Sequence, residues 1–422
     1  MTQNKRNIIF FTMSRIVDIE RRGIYSDLLR QFRKEGWGVY ILTPHERSIG
    51  KPTELVEHDG VHILGVKTLN LQKTSIVEKG IGQILVEGQY KRAINRFLSG
   101  VKFDIILYST PPIMFSKLVS YMKRRNPHAM TYLLLKDIFP QNAVDIGMMK
   151  KTGLKGILYK YFRSIEKKLY ALSDFIGCMS PANAEYVLKH NADIPADKVE
   201  VAPNSVELTN YFNLNDSLIE ETDKNKINAL RYNTLSSYDL PTDRPIFIYG
   251  GNLGKPQCVH FLIDCLESNS DRDDCHFVVI GSGTEYPRLK DWFDSKHPYN
   301  VSLMKGLPKE KYDELVRFCD VGLIFLDHRF TIPNYPSIIL SYMENKMPVL
   351  CATDPNTDVG RIAEENGYGF WCESNKVEAF TEILDKMIQA DRKVMGKNGF
   401  DFLVNNYLVE HTYRAIVAHY DI

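Results

Sequence analysis

Two separate series of short apolar runs, each interleaved with helical segments, constrain this chain more than any other feature. In the first series residues 8–11, 39–42, 104–108, 132–135 and 175–179 read as strands. Between the first two, residues 23–35 place Ile24, Leu28, Leu29 and Phe32 at helical spacing, and Gly36-Trp37-Gly38 ends the helix. In the second series the strands are 246–249, 276–280, 301–303, 321–326 and 349–351. Short apolar strands separated by helices argue for a parallel, doubly wound sheet, because parallel neighbours need a crossover between them. A polar tract at 214–244, rich in Asn, Asp, Glu and Ser, separates the two series. The pattern predicts two Rossmann-like α/β domains, 1–204 and 205–400, with a C-terminal helix at 401–422 packing back towards the first. The last helical pattern, roughly 377–420, is long enough for that return.

The length of 422 residues fits two or three domains. No apolar run approaches the roughly 18 residues that span a bilayer. The segment MTQNKRNIIFFTM reads as a first strand, since its apolar patch is too short for a signal peptide. The seven cysteines are scattered, odd in number and without a C-x-x-C pair, so reduced core thiols in a cytoplasmic protein are expected. Charge is uneven. Residues 1–200 hold 31 Lys and Arg against 19 Asp and Glu, and residues 201–422 hold 22 against 33. Either the two domains face different partners, or they attract each other.

Three glycine-bearing turns follow predicted strands of the second half: Gly250-Gly251-Asn252-Leu253-Gly254-Lys255, Gly281-Ser282-Gly283 and Lys305-Gly306-Leu307-Pro308. Glycine lets a backbone approach a ligand, and a lysine in such a turn neutralises phosphate charge. A fourth stretch, RFTIPNYPSIILSYMENKMP (329–348), reads as a loop, a helix start at Asn334-Tyr335-Pro336-Ser337, and a helix. Helix starts at the carboxyl ends of strands hold phosphate on free N–H groups. The combination points to a nucleotide-type ligand.

In this order and spacing the motifs GGNLGKPQ, VVIGSGTEYPRL, MKGLPKEKYDELVRFCDVGLIFL and PNYPSIILSYMENKMPVLCATDPN resemble the nucleotide-binding domain of the GT-B-fold family 4 glycosyltransferases. RRGIYSDLLRQFRKEGWGVYILTP resembles that superfamily's opening helix and strand, and Val201-Ala202-Pro203-Asn204-Ser205 its interdomain hinge. The resemblance covers nearly the whole chain and is nearest to the branch that builds bacterial capsule and O-antigen sugars on a lipid carrier. It implies two domains facing a central cleft and a retaining hexosyltransferase, usually metal-independent. The donor would be a nucleotide sugar, a UDP-sugar in the first instance, used as substrate with no cofactor.

The protein must then supply positive charge where the leaving diphosphate's charge grows. Lys255 is the first candidate, with the N–H groups of Ser337, Ile338 and Ile339, and with Lys305 or Arg329 assisting. Gly251, Asn252, Gly254, Gly281, Gly283, Asn334 and Pro336 would line the donor site. Gly306 and Leu307 would meet the base through backbone atoms. Gly23, at the first strand–helix turn, would face the donor phosphates or the acceptor. One departure stands out. The family's paired glutamates, E-x7-E, fall here on Pro333 and Ser341, so the carboxylate that normally grips ribose is replaced by a hydroxyl. Glu344 lies almost one turn further on. Either the donor is held through backbone, or activity has been lost.

On the acceptor side, Asp137 in Lys136-Asp137-Ile138-Phe139-Pro140 is the candidate base or orienting carboxylate; a helix cap or loop hydrogen bond is the structural alternative. Ser109 and Thr110 end another strand and would line the same site. His45, His58, His62 and His128 show no metal spacing, and Asp271–Asp274 precedes its strand, so it reads as a loop. In 147–170, Leu154, Ile157, Leu158, Tyr161, Phe162, Ile165 and Leu169 share one helical face among Lys155, Lys160, Arg163, Lys167 and Lys168. Such a helix either packs on the sheet or lies on an anionic membrane surface. With the basic first half, it predicts peripheral attachment at the inner face of the cell membrane, where a polyprenyl-diphosphate-linked glycan acceptor would reside. Nucleic acid explains the charge less well, because no recognition motif accompanies it. A sugar-nucleotide epimerase and a non-catalytic scaffold are the alternatives that share the fold.

Overall fold

The computed structural model describes residues 6–71, 74, 76–208 and 221–420. The chain forms two compact units, Met1–Glu207 with Leu408–Ile422, and Leu208–Tyr407. The first 7 residues of the polar tract, 214–220, lie outside the described residues, and the tract continues as a helix, Glu221–Ser236.

The first unit carries an eight-stranded sheet. Its strands are β1 (Asn7–Phe11), β2 (Gly38–Glu46), β3 (Glu54–His58), β4 (Val61–Thr68), β5 (Ile105–Thr110), β6 (Met130–Leu135), β7 (Phe175–Cys178) and β8 (Val199–Val201). Their order is β3-β4-β2-β1-β5-β6-β7-β8. All neighbours are parallel except β3 and β4, an antiparallel edge hairpin that corrects the expectation of a wholly parallel sheet. Glu54 and His58 on one face and Glu57 with His62 on the other interrupt that hairpin, so it lacks the continuous apolar run of a strand buried on both sides. By contrast β5 and β6 are buried at every residue.

The second unit carries β9 (Ile246–Asn252), β10 (His276–Ser282), β11 (Val301–Lys305), β12 (Val321–Phe325), β13 (Val349–Thr353) and β14 (Gly369–Glu373). All run parallel in the order β11-β10-β9-β12-β13-β14. Counted within the unit this is 3-2-1-4-5-6, the dinucleotide-binding order, whose ligand crevice lies where the order reverses. That point is the carboxyl ends of β9 and β12.

The predicted single final helix is three: Val377–Gln389, Arg392–Asn406 and Val409–Ala418. The first break comes at Asp391, whose carboxylate accepts the N–H groups of Lys393 and Val394 and so starts a new helix. The second comes where Val409 N–H turns to the Val206 carbonyl. From there the last helix joins the first unit's core. Tyr413 packs edge-on against Phe32, and the Trp37 indole N–H donates to the Tyr413 hydroxyl at 3.1 Å.

Candidate active site

In the second unit β9 and β12 pair over only two positions, Val321 with Phe247 and Gly322 with Ile248. Tyr342, from helix Ile338–Glu344, lies where they part. Its hydroxyl accepts the Gly250 N–H at 3.2 Å and donates to the Ile248 carbonyl at 3.2 Å. A Cβ on Gly322 would come within 2.2 Å of its ring. The tyrosine therefore takes over the backbone bonding where the two strands diverge, and the loops beyond them stand apart.

After β9 the chain makes a tight turn, Gly254 to Gln257. The Gln257 side-chain oxygen accepts the Asn252 carboxamide N–H at 3.0 Å and the Gly254 N–H at 3.2 Å. Asn252 is thus engaged in closing the turn. Cys258, at φ 50°, is left-handed and redirects the chain into helix Val259–Ser268. Lys255 is exposed on this turn and has no ion-pair partner among the described residues. The turn after β12 is fastened to it: Asp327 N–H donates to the Pro256 carbonyl at 2.9 Å.

Arg329 stands differently from the free cation expected. Its Nε and Nη2 donate to the two oxygens of the buried Asp327 carboxylate at 2.8 and 2.6 Å. The guanidinium holds the Asp327 carboxyl below its ordinary range, although burial opposes this. Cys258, Asp327 and His328 bring three potential metal ligands within 4.8 Å of one another, but Arg329 already balances the carboxylate.

The glycines divide. Gly250, Gly251 and Gly281 are strand residues, not turn residues, because the ladder runs on through Gly281↔Gly251 and Ser282↔Asn252. A Cβ on Gly281 would lie 2.2 Å from the Gly251 carbonyl oxygen, and one on Gly283 would lie 2.3 Å from that of Leu253. Their lack of a side chain is required by the backbone of β9 and its turn, which corrects the reading that it serves ligand approach. Gly251 does face open space, at φ 145°. Lys305, Gly306 and Leu307 end β11, two strands out from β9 and so roughly 10 Å away.

At the helix start, the Ile339 N–H donates to the Pro336 carbonyl at 3.3 Å. That removes Ile339 from the predicted set and leaves the N–H groups of Ser337 and Ile338. Asn334 is fixed by its own N–H, which donates to the Thr357 hydroxyl at 2.9 Å. Its side-chain Nδ2 is buried and finds no acceptor among the described residues. Ser341 is half-buried. Glu344 is only 3 % exposed, which leaves little of its carboxylate accessible as a substitute. Sequence reasoning missed the support at the end of β13. Buried Asp354, pushed up to about 6 by burial, accepts the N–H groups of Asn356 and Thr357 and the Thr357 hydroxyl. The run CATDPN holds Asp354 and Asn356 without marking them, and Thr357 follows it.

In the first unit the strand order reverses between β1 and β5. Gly23 caps helix Ile24–Lys34, and its N–H is spent on Asp27 Oδ1 at 2.9 Å. It is therefore no free phosphate donor. Ser109 and Thr110 end β5 and are buried. The Thr110 hydroxyl accepts the Lys136 N–H at 3.1 Å and donates to the Asp137 carbonyl at 3.2 Å, so it shapes the loop after β6. Asp137 is not a helix cap, since Pro140 holds that place before Gln141–Asp145. Both its oxygens lie 2.7 Å from Asn142 Nδ2. Burial pushes its carboxyl up to about 6, with Asn142 opposing. Lys136, unassigned from sequence, donates to the Ala202 carbonyl at 3.1 Å and is brought down to about 7 by burial.

Residues 25–210 match the family model described as Glycosyltransferase Family 4, and residues 233–402 match Glycosyl transferases group 1. The chain is a glycosyltransferase of the GT-B fold. A curated relative, the probable glycosyltransferase WbjE of Pseudomonas aeruginosa, is 21 % identical over 343 residues, 79 % of this chain and 78 % of the relative. Two solved structures share the glycosyltransferase's fold. Sucrose-phosphate synthase of Thermosynechococcus elongatus has TM-score 0.73 at 13 % identity and covers 99 % of this chain and 98 % of its own. HepE of Anabaena in complex with UDP has TM-score 0.65 at 12 % identity and covers 99 % of each.

Proposed function

We propose that this glycosyltransferase retains anomeric configuration. It would move a hexose from a nucleotide sugar, a UDP-sugar in the first instance, to a lipid-linked glycan in bacterial surface-polysaccharide synthesis. The observation that carries the reading is the crevice at β9 and β12. An exposed lysine stands on one turn, and the next turn, fastened to it, leads to a helix start; among the described residues the lysine has no ion-pair partner and two of the N–H groups have no acceptor. This is the chemistry that a departing diphosphate needs: positive charge and dipoles set in advance. Arg329 acts through Asp327, holding the second turn against Pro256. The backbone of Gly306 and Leu307 lies out along the strand ends, where a base would extend. With Ser341 in the ribose-facing position, the grip on the donor falls to backbone groups and Asn334.

Asp137 is the carboxylate we assign to the acceptor hydroxyl. Asn142 fixes its orientation, and its raised pKa suits it to exchange a proton near neutrality. The polyprenyl-diphosphate acceptor places the first domain at an anionic membrane surface. Helix Gly153–Leu172 supports that assignment, because its apolar stripe splits. Leu169 is buried against the domain, whereas Ile157, Leu158 and Tyr161 are exposed at 66 %, 48 % and 52 %. Exposed Met148 precedes them; the side chains of Leu154 and Lys155 are outside the described residues. No helix among the described residues is long and apolar enough to cross a membrane.

The test is nucleoside diphosphate release from a panel of nucleotide sugars, with and without a bacterial lipid extract. Release that depends on the extract is expected. Turnover of the nucleotide sugar without any acceptor would indicate the epimerase instead, and no binding of any nucleotide sugar would leave a scaffold.

A further inference from the structure

Beyond the crevice itself, the chain builds a brace for the loop that enters it. Asp354 is wholly buried at the end of β13. Its Oδ1 accepts the N–H groups of Asn356 and Thr357, both at 2.9 Å, and its Oδ2 accepts the Thr357 hydroxyl at 2.8 Å. A hydroxyl has one proton. Once that proton is committed to the carboxylate, the Thr357 oxygen can only accept in other directions. It does so from the Asn334 N–H at 2.9 Å. Four residues earlier the same loop is held a second time, where the Asn356 carboxamide donates to the Phe330 carbonyl at 2.7 Å. These two fastenings hold the loop backbone at Phe330 and Asn334, and Asn334 Nδ2 is a buried donor without an acceptor among the described residues.

We propose that Thr357, with Asp354 setting the direction of its hydrogen bond, is a positioning residue for the donor substrate. It holds Asn334 so that the free carboxamide N–H meets an oxygen of the bound sugar diphosphate. This rests on the reading of the β9–β12 crevice as the donor site. It explains how the donor is gripped although the two glutamate positions are Pro333 and Ser341. Holding the loop before the donor arrives means that binding need not supply the ordering entropy.

The test is calorimetric binding of UDP, GDP, CDP and dTDP to the full chain, followed by donor kinetics. Thr357→Val keeps the shape but removes the acceptor for Asn334. About tenfold weaker binding of the nucleotide that the wild type takes is expected, as for one lost charge-assisted arrangement. The donor KM should rise by a similar factor while kcat changes less than threefold or so. Thr357→Ser should restore wild-type binding. Wild-type binding by Thr357→Val would overturn the proposal, as would a serine variant as weak as the valine one, since packing of the methyl group would then be the cause. Should Thr357→Val fail to fold, a second variant keeps the proposal testable. That variant is Asn334→Ala, which removes the carboxamide and leaves the Thr357 brace intact; about tenfold weaker binding at an undiminished melting temperature is expected, and unchanged binding overturns the idea. A wild type that binds none of the four nucleotides would instead sink the donor-site reading itself.

Discussion

Lys255 and Asp137 carry opposite physical signatures, and their substitutions should behave differently. Lys255 is exposed and has no ion-pair partner among the described residues, so Lys255→Ala should leave stability within about 0.5 kcal/mol of wild type. Transfer should fall by roughly 10²–10³, as when one preorganised donor to a developing charge is removed. Turnover within a few-fold of wild type would take Lys255 out of the mechanism. Asp137 is a carboxyl whose folded pKa, about 6, lies above its ordinary 3.8. The folded state therefore holds more protons than the unfolded one between these values. Its contribution to stability falls as pH rises through that window and stays unfavourable above it. Asp137→Asn should accordingly melt no lower than wild type at pH 8 while losing turnover, and the wild-type rate should climb through pH 6. Equal loss of stability and activity would reduce Asp137 to a loop residue. The sequence marked Lys255 because its turn has local grammar. It gave no sign that Arg329 would be consumed by Asp327, or that Gly281 and Gly283 serve the β9 backbone. Those outcomes are contacts between elements, and spacing along one element does not encode them.

At the scale of elements, the strands were legible wherever both faces are buried, since such strands are continuous apolar runs. The β3–β4 hairpin was not, because polar residues interrupt it on both faces. Tyr342 is a buried core residue of its helix. That it also takes up the Gly250 N–H and parts β9 from β12 follows from the fold alone. Helix Gly153–Leu172 had two readings from sequence, sheet packing or membrane contact; Leu169 is buried as packing requires, while Ile157, Leu158 and Tyr161 stay exposed. Ile157→Glu with Tyr161→Glu should reduce sedimentation with anionic vesicles at least about tenfold, since two apolar contacts are exchanged for two repelled charges. The melting temperature should hold, because neither side chain is buried. Undiminished vesicle binding would show that another surface makes the contact.

At the scale of the whole molecule, the chain leaves the first domain at Glu207 and returns at Leu408. The return matters energetically. Tyr413 and Ile416 complete a core that includes Leu28, Phe32 and Trp37, and Glu207 is ion-paired with Arg30 and Lys34 beside the exit. Tyr413→Ala should cost about 3 kcal/mol, as for other large buried aromatics, and should be read from denaturant unfolding of the full chain. A cost below about 1 kcal/mol would mean that the last helix is an ornament. The alternation of strands and helices predicted the two-domain plan, because it is a property of the whole sequence. The proposed donor site was less legible, because it depends on loops from β9, β12 and β13 meeting at one end of a sheet. The most direct test of that grip is a calorimetric titration of UDP, GDP, CDP and dTDP into the full chain. One of these should saturate a single site per chain, and that affinity should fall in Lys255→Ala; no binding of any of them would contradict a diphosphate site at the ends of β9 and β12.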